Sequence, residues 1–177
     1  MQPLAQNATP QQVRDEPTGV ATALGRIPSG LFVVTWRAND QDRAMLASWV
    51  MQAGFAPPVI SIAVARSRDL LAALETASPF VVNVLDESQR SLLSRFGKPP
   101  ASGEDPFAGL PTERTACGAI ALSEAAAWLE CRAGRMPSAA ADEPSGCDHV
   151  VVLAEVVAGR GGDRQPLVHL RRNGLRY

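Results

Sequence analysis

Apolar residues run along this chain mostly in short, β-branched blocks set off by polar or proline-rich breaks, a pattern that predicts strands more than helices. GLFVVTWR (30–37) and AMLASWV (44–50) flank the polar turn Ala38-Asn39-Asp40-Gln41-Asp42, which predicts a strand pair. After the break Ala56-Pro57-Pro58, VISIAVA (59–65) is a nearly continuous apolar strand, and SRDLLAALETAS brings Leu70, Leu71 and Leu74 into helical spacing. PFVVNVL (79–85) repeats the strand, followed by a short helix, SQRSLLSRFG, with Ser88 as a candidate cap and Gly97 as its stop.

KPPASGEDPFAGLP reads as a loop from its Pro and Gly content. Beyond it the chain returns to strands: AIAL (119–122), AAAWLECRAGRM (125–136), HVVVLAEVV (149–157) and PLVHLRR (166–172), the last joined to LRY by the Asn173-Gly174 turn. PSAAADEPSG (137–146) is expected to be a surface excursion. About six strands with only two short helices predict a mainly β, antiparallel barrel, because a parallel α/β sheet needs a helix after nearly every strand.

Residues 1–20 are rich in Gln, Pro and Thr with little to bury, so they are expected to form a disordered arm ahead of one domain spanning 21–177. The 46% hydrophobic and 20% charged residues are ordinary for a chain of 177 with a single core. With 17 basic against 18 acidic residues the net charge is −1, so no global field recruits nucleic acid or an anionic membrane, and any anion site is local. All the basic residues except Lys98 are arginine, which suits recognition of phosphate or carboxylate and equally fits an arginine-rich genome. Cys117, Cys131 and Cys147 are odd in number and widely spaced, so neither a disulfide framework nor a metal site is expected. With no signal-peptide pattern and no long apolar run, the expected setting is the reducing cytoplasm.

The step from VISIAVA into SRDLL carries the sharpest candidate chemistry. At a strand-to-helix turn the Ser67 hydroxyl is placed to cap the helix, while unpaired first-turn N–H groups can donate to an anion, with Arg66 and Arg68 alongside. Taken alone, the stretch reads first as an ordinary capped helix with solvated arginines, since such caps are common.

Several separated stretches together resemble the flavin reductase-like family of FMN-binding split barrels: GRIPSGLFVVT, MLASWVMQAGFAPP, SIAVARSRDLL, FVVNVL, DPFAGL, LECR and DHVVVLAEV, in that order from about residue 24 onward. The likeness is closest to the flavin reductase module at the carboxyl end of cyanobacterial diflavin proteins, here expected to stand alone without their oxygen-reducing domains. The resemblance implies an antiparallel split β-barrel and an NAD(P)H-dependent flavin reductase, in which hydride passes from nicotinamide C4 to flavin N5. It implies FMN as cofactor, with FAD as an alternative and NAD(P)H as a transient substrate, and a homodimer that passes reduced flavin or electrons to a partner oxygenase or other acceptor.

By position in that family, Met45, Ala47, Ser48 and Trp49 are implied along the flavin ring, small Ala47 and Ser48 letting the flat ring approach the backbone. Ala65, Arg66, Ser67 and Arg68 are implied at the ribityl phosphate, and Phe96 beside the ring. Gly146-Cys147-Asp148-His149 stands where relatives carry Gly-Asp-His, which makes His149 the catalytic candidate on the nicotinamide side, with a structural histidine as the other reading. Cys147 occupies the glycine slot, so a positive-φ conformation there must move to Gly146 or the loop must run differently. His169 and Trp128 are read as structural. Two other functions remain open: a flavin-binding electron-transfer module with little NAD(P)H activity of its own, and a haem-binding split barrel using His149 and His169.

Overall fold

Burial along the strands sorts them into two kinds. In the computed structural model, which describes residues 19–101, 103–134, 146–171 and 174–175, Val33, Val34, Thr35 and Trp36 are buried in succession, as are Phe80, Val81, Val82 and Asn83. Strands buried on both faces belong in the middle of a fold. The 58–65 and 149–157 segments instead alternate buried with partly or fully exposed positions, as strands with one solvated face do.

The strands are β1 (Ser29–Gly30), β2 (Phe32–Ala38), β3 (Gln41–Ala47), β4 (Val50–Phe55), β5 (Pro58–Ala65), β6 (Phe80–Val84), β7 (Thr112–Arg114), β8 (Ile120–Leu122), β9 (Ala127–Ala133), β10 (His149–Gly161) and β11 (Val168–His169). Helices α1 (Gly19–Leu24), α2 (Leu70–Glu75) and α3 (Leu92–Phe96) are all short. Seven strands form one antiparallel sheet in the order β3-β2-β6-β9-β10-β5-β4. Its two edge strands are consecutive in the chain, separated only by Ser48 and Trp49, so the sheet must curl until its edges meet at that corner. This is the mainly β, antiparallel split-barrel architecture the sequence predicts, and the Trp49 carbonyl accepts the Ala63 N–H at 3.0 Å to stitch the corner to β5.

The main core joins Val34, Trp36, Met45, Ile62, Val64, Phe80, Val82, Val150 and Val152 with Leu70 and Leu74 of α2. A second cluster on the other face of β2 packs Val33 and Leu85 against Leu92 and Phe96 of α3, Phe107 and Leu167. Between the layers, Asn83 donates to the Val33 carbonyl at 3.0 Å and accepts the Leu122 N–H at 2.7 Å, while Thr35 donates to the Ile120 carbonyl. These side chains pair backbone groups of β8 that have no strand neighbour on that side.

The described residues also divide into two compact units, one holding 19–29 with 169–171 and 174–175, the other holding those between 30 and 168. Within the first, the Gly174 N–H donates to the Ala21 carbonyl at 2.8 Å, and a Cβ on Gly174 would stand 2.2 Å from that of Leu24. The arm expected over 1–20 falls almost wholly on residues outside the described ones, as do most of the 137–146 excursion and Asn173.

Several boundaries differ from expectation. The strand predicted over 44–50 is two strands broken at Ser48-Trp49, because there the chain leaves β2 and joins β5, a change of partner that an unbroken apolar run does not reveal. The helix predicted from Ser67 begins only at Leu70: the Arg68 N–H closes a turn onto Ala65, and Asp69 occupies the N-cap with helical angles and no side-chain cap bond. Ser67 therefore caps nothing, and a six-residue helix held by the burial of Leu70, Ala73 and Leu74 replaces the capped one. Ser88 does not cap through its side chain either; its hydroxyl and N–H both donate to Asp86 and hold that carboxyl below the usual carboxylate range, while α3 stops at Gly97 as expected.

Candidate functional site

The β2–β3 hairpin turns at Asn39 and Asp40, both at positive φ (51° and 59°), and sends β3 back alongside the turn that follows β5. Between them lies a cavity of about 620 Å³, the size range of small-molecule sites. Its walls come from Trp36 of β2, Arg43 and Met45 of β3, Ser67, Arg68 and Asp69 of the β5–α2 turn, Phe96 at the end of α3, and residues 98–101 and 103–106. Met45, Ser67, Arg68 and Phe96, four of the residues singled out from sequence, thus converge on one space.

The walls are chemically uneven. Phe96 and Trp36 present buried aromatic surface, Phe96 packing on Phe107 with ring centroids 5.7 Å apart. The Trp36 indole N–H is buried without a hydrogen-bond partner. Arg68 is half-buried, and among the described residues its guanidinium has no hydrogen bond or ion pair. A half-buried cation without a partner among the described residues, beside aromatic surface, fits an anionic group that carries a planar ring. The anion-binding power here is that of side chains, since α2 is too short and lacks a capped first turn.

The other expected residues gather in an adjoining neighbourhood, outside the lining of this cavity. Ala47 and Ser48 are buried at the end of β3, and half-exposed Trp49 packs its ring on His149 at 4.7 Å, tilted by 58°. His149 opens β10 directly opposite Ala65 at the end of β5, and its Nδ1 lies 2.8 Å from Asp148 Oδ1. Arg66 turns to this side: its Nε donates to the Cys147 carbonyl at 2.9 Å and its backbone N–H to the Asp148 carbonyl at 2.9 Å. The phosphate corner expected from Arg66, Ser67 and Arg68 is thereby divided, Arg66 tying down the start of β10 while Ser67 and Arg68 face the cavity. Gly146 takes φ of +86° and Cys147 does not, so the glycine conformation sits one residue earlier than in the related motif. Both neighbourhoods are built from the same two stretches, 45–49 and 65–68, which makes them contiguous along the chain.

Sequence reasoning missed Trp36, Arg43 and Lys98. Trp36 and Arg43 are cross-strand partners, and nothing in a strand's alternation marks which end of it opens on a cavity. Lys98 had one visible signal, being the only lysine.

The chain matches the family described as flavin reductase like domain over residues 24–175. Diflavin flavoprotein A 1 of Synechocystis sp. is 36% identical over 180 residues, covering 99% of this chain and 30% of that protein. The chain thus spans under a third of the length of such relatives. Among solved structures, the Streptomyces globisporus NADH:FAD oxidoreductase SgcE6 superposes with a TM-score of 0.75 at 25% identity, covering 98% of this chain and 96% of that one. The styrene monooxygenase flavin reductase of Pseudomonas putida S12 shares the fold, with a TM-score of 0.71 at 21% identity over 86% of this chain and 93% of that one.

Proposed function

The chain belongs to the flavin reductase like domain family, and from that premise we propose that it is an NAD(P)H-dependent flavin reductase with FMN as its flavin. The observation that carries the reading is the cavity between β3 and the β5–α2 turn, where Arg68 lies without a partner among the described residues beside Ser67 and buried aromatic surface. Ser67 and Arg68 hold the phosphate by hydroxyl and guanidinium donors. Ala47 and Ser48, with the smallest side chains at the corner between β3 and β4, let the ring lie against the backbone, and Met45 and Phe96 supply its apolar contacts.

A flavin held by these residues would supply the redox chemistry, as an acceptor for hydride from reduced nicotinamide. The protein's share is alignment. His149, its imidazole fixed from one side by Asp148 and from another by the Trp49 ring, orients the nicotinamide at the neighbouring corner. Reduced flavin or its electrons then go to a partner oxygenase or another acceptor.

The protein works as a homodimer in this reading. Met51 of β4 and Val151 and Leu153 of β10 are 69%, 53% and 49% exposed, and Met51 and Leu153 both lie opposite Ser61 of β5, so they stand on one outward face as apolar side chains either side of Ser61.

Stopped-flow mixing of the FMN-loaded protein with NADH and with NADPH tests the reading. Loss of absorbance near roughly 450 nm, where oxidised flavin absorbs, is expected with at least one reductant. Bound flavin that neither reductant bleaches would leave a flavin-binding electron-transfer module instead, the reading that Cys147 in the glycine slot favours.

A further inference from the structure

The charges around the cavity are not equally committed. Of its carboxylates, Asp42 is held by both terminal nitrogens of Arg114 at 2.7 and 3.0 Å, an interaction that also raises the Arg114 pKa. Glu104 Oε2 accepts the Ala101 N–H at 3.1 Å, and Asp105 Oδ1 accepts the Phe107 N–H at 2.9 Å. The framework thus engages three of the four acids, leaving Asp69. On the basic side, Arg43 donates to Gln41 at 2.8 Å, whereas the side chains of Arg68 and Lys98 have no hydrogen bond or ion pair among the described residues.

Lys98 also arrives on a fixed support. The Gly97 N–H closes α3 onto the Leu93 carbonyl at 3.0 Å, placing Lys98 directly after the residue that caps the helix. At the far end of the same wall, Arg95 Nε donates to the Pro106 carbonyl at 2.7 Å and its Nη2 to the Ala108 carbonyl at 2.6 Å. A planar guanidinium making two charge-assisted bonds to backbone pins that end of the loop. The only lysine of the chain is therefore carried on a loop anchored at both ends, into a cavity where Arg68 already stands unpaired.

Resting on the flavin reading above, we infer that Lys98 is a specificity-determining contact: with Arg68 it forms a two-sided cation clamp that selects phosphorylated over unphosphorylated flavin. Arg68 and Lys98 are the two lining cations with no hydrogen bond or ion pair among the described residues, and a terminal phosphate supplies the partner both lack: the guanidinium donates through its planar fork and the ammonium grips a phosphate oxygen as a point charge. Riboflavin, lacking the phosphate, leaves both cations unused.

Affinities of FMN and riboflavin, read by flavin fluorescence for the wild-type protein, Lys98→Met and Lys98→Arg, test this. Lys98→Met is expected to weaken FMN by about tenfold while riboflavin is unchanged, and Lys98→Arg to keep most of the FMN affinity. As a second readout, reductive ¹³C-methylation labels the Lys98 amine and the α-amine alone, and the Lys98 signal is expected to shift with FMN and with inorganic phosphate but not with riboflavin. Unchanged FMN affinity in Lys98→Met, an equal loss for both flavins, or a Lys98 signal that phosphate does not move overturns the clamp and leaves the flavin site standing. Failure of the wild-type protein to bind either flavin overturns the flavin reading along with it.

Discussion

At the scale of single residues, neighbours in the chain do different work. Ser67 and Arg68 line the cavity and Arg66 secures the start of β10, although the three are consecutive in sequence. Arg68→Ala is therefore expected to weaken FMN by about tenfold and Ser67→Ala by less, both measured by fluorescence titration. Arg66→Ala acts mainly on stability, through the loss of its bond to Cys147. Sequence alone offered the Arg-Ser-Arg step as either an anion site or an ordinary cap with solvated arginines, the family resemblance favoured the first, and neither said which arginine faces which way. That choice is made by tertiary partners, here the Cys147 carbonyl.

Cys131 gives a residue-scale prediction independent of the site. Burial, reinforced by the nearby Cys117 and Glu130, pushes its thiol up to about 12 from an ordinary value of 9.0. The unfolded chain then ionises first, so its lower proton uptake makes stability fall with rising pH between about 9 and 12, by about 1.4 kcal/mol per pH unit, with the contribution intact below that window. Urea unfolding across this range is expected to show the slope, and Cys131→Val to flatten it.

At the scale of elements, strands were legible and their partners were not. The apolar blocks at 30–37, 59–65 and 79–85 became β2, β5 and β6 nearly in place, since β-branched runs bounded by turns have little alternative. The break at Ser48-Trp49 and the late start of α2 are set by which strand each segment meets, and local pattern carries no trace of that. The β8 strand depends on Asn83, whose amide serves the Val33 carbonyl and whose oxygen takes the Leu122 N–H. Asn83→Leu strands both buried backbone groups and is expected to cost about 2–4 kcal/mol by urea unfolding, well beyond a surface substitution.

At the scale of the whole molecule, the curled seven-stranded sheet brings its first and last strands together at a single corner, and both the cavity and the His149 neighbourhood are built next to it. The fold was legible because strand count and helix scarcity exclude a parallel sheet; the expected position of the site came from the family resemblance. The outward apolar side chains of Met51 and Leu153 are expected to be covered in solution, so Met51→Glu with Leu153→Glu should convert a dimer to a monomer in analytical ultracentrifugation. A concentration-independent monomer of the wild-type protein would contradict the dimer.

A crystal structure of the protein with FMN decides whether this cavity holds the flavin. The account predicts the phosphate within about 3 Å of Ser67 and the Arg68 guanidinium, with the ring running along Ala47 and Ser48. Flavin bound elsewhere, or this cavity closed by the protein's own side chains while flavin is bound, would contradict it.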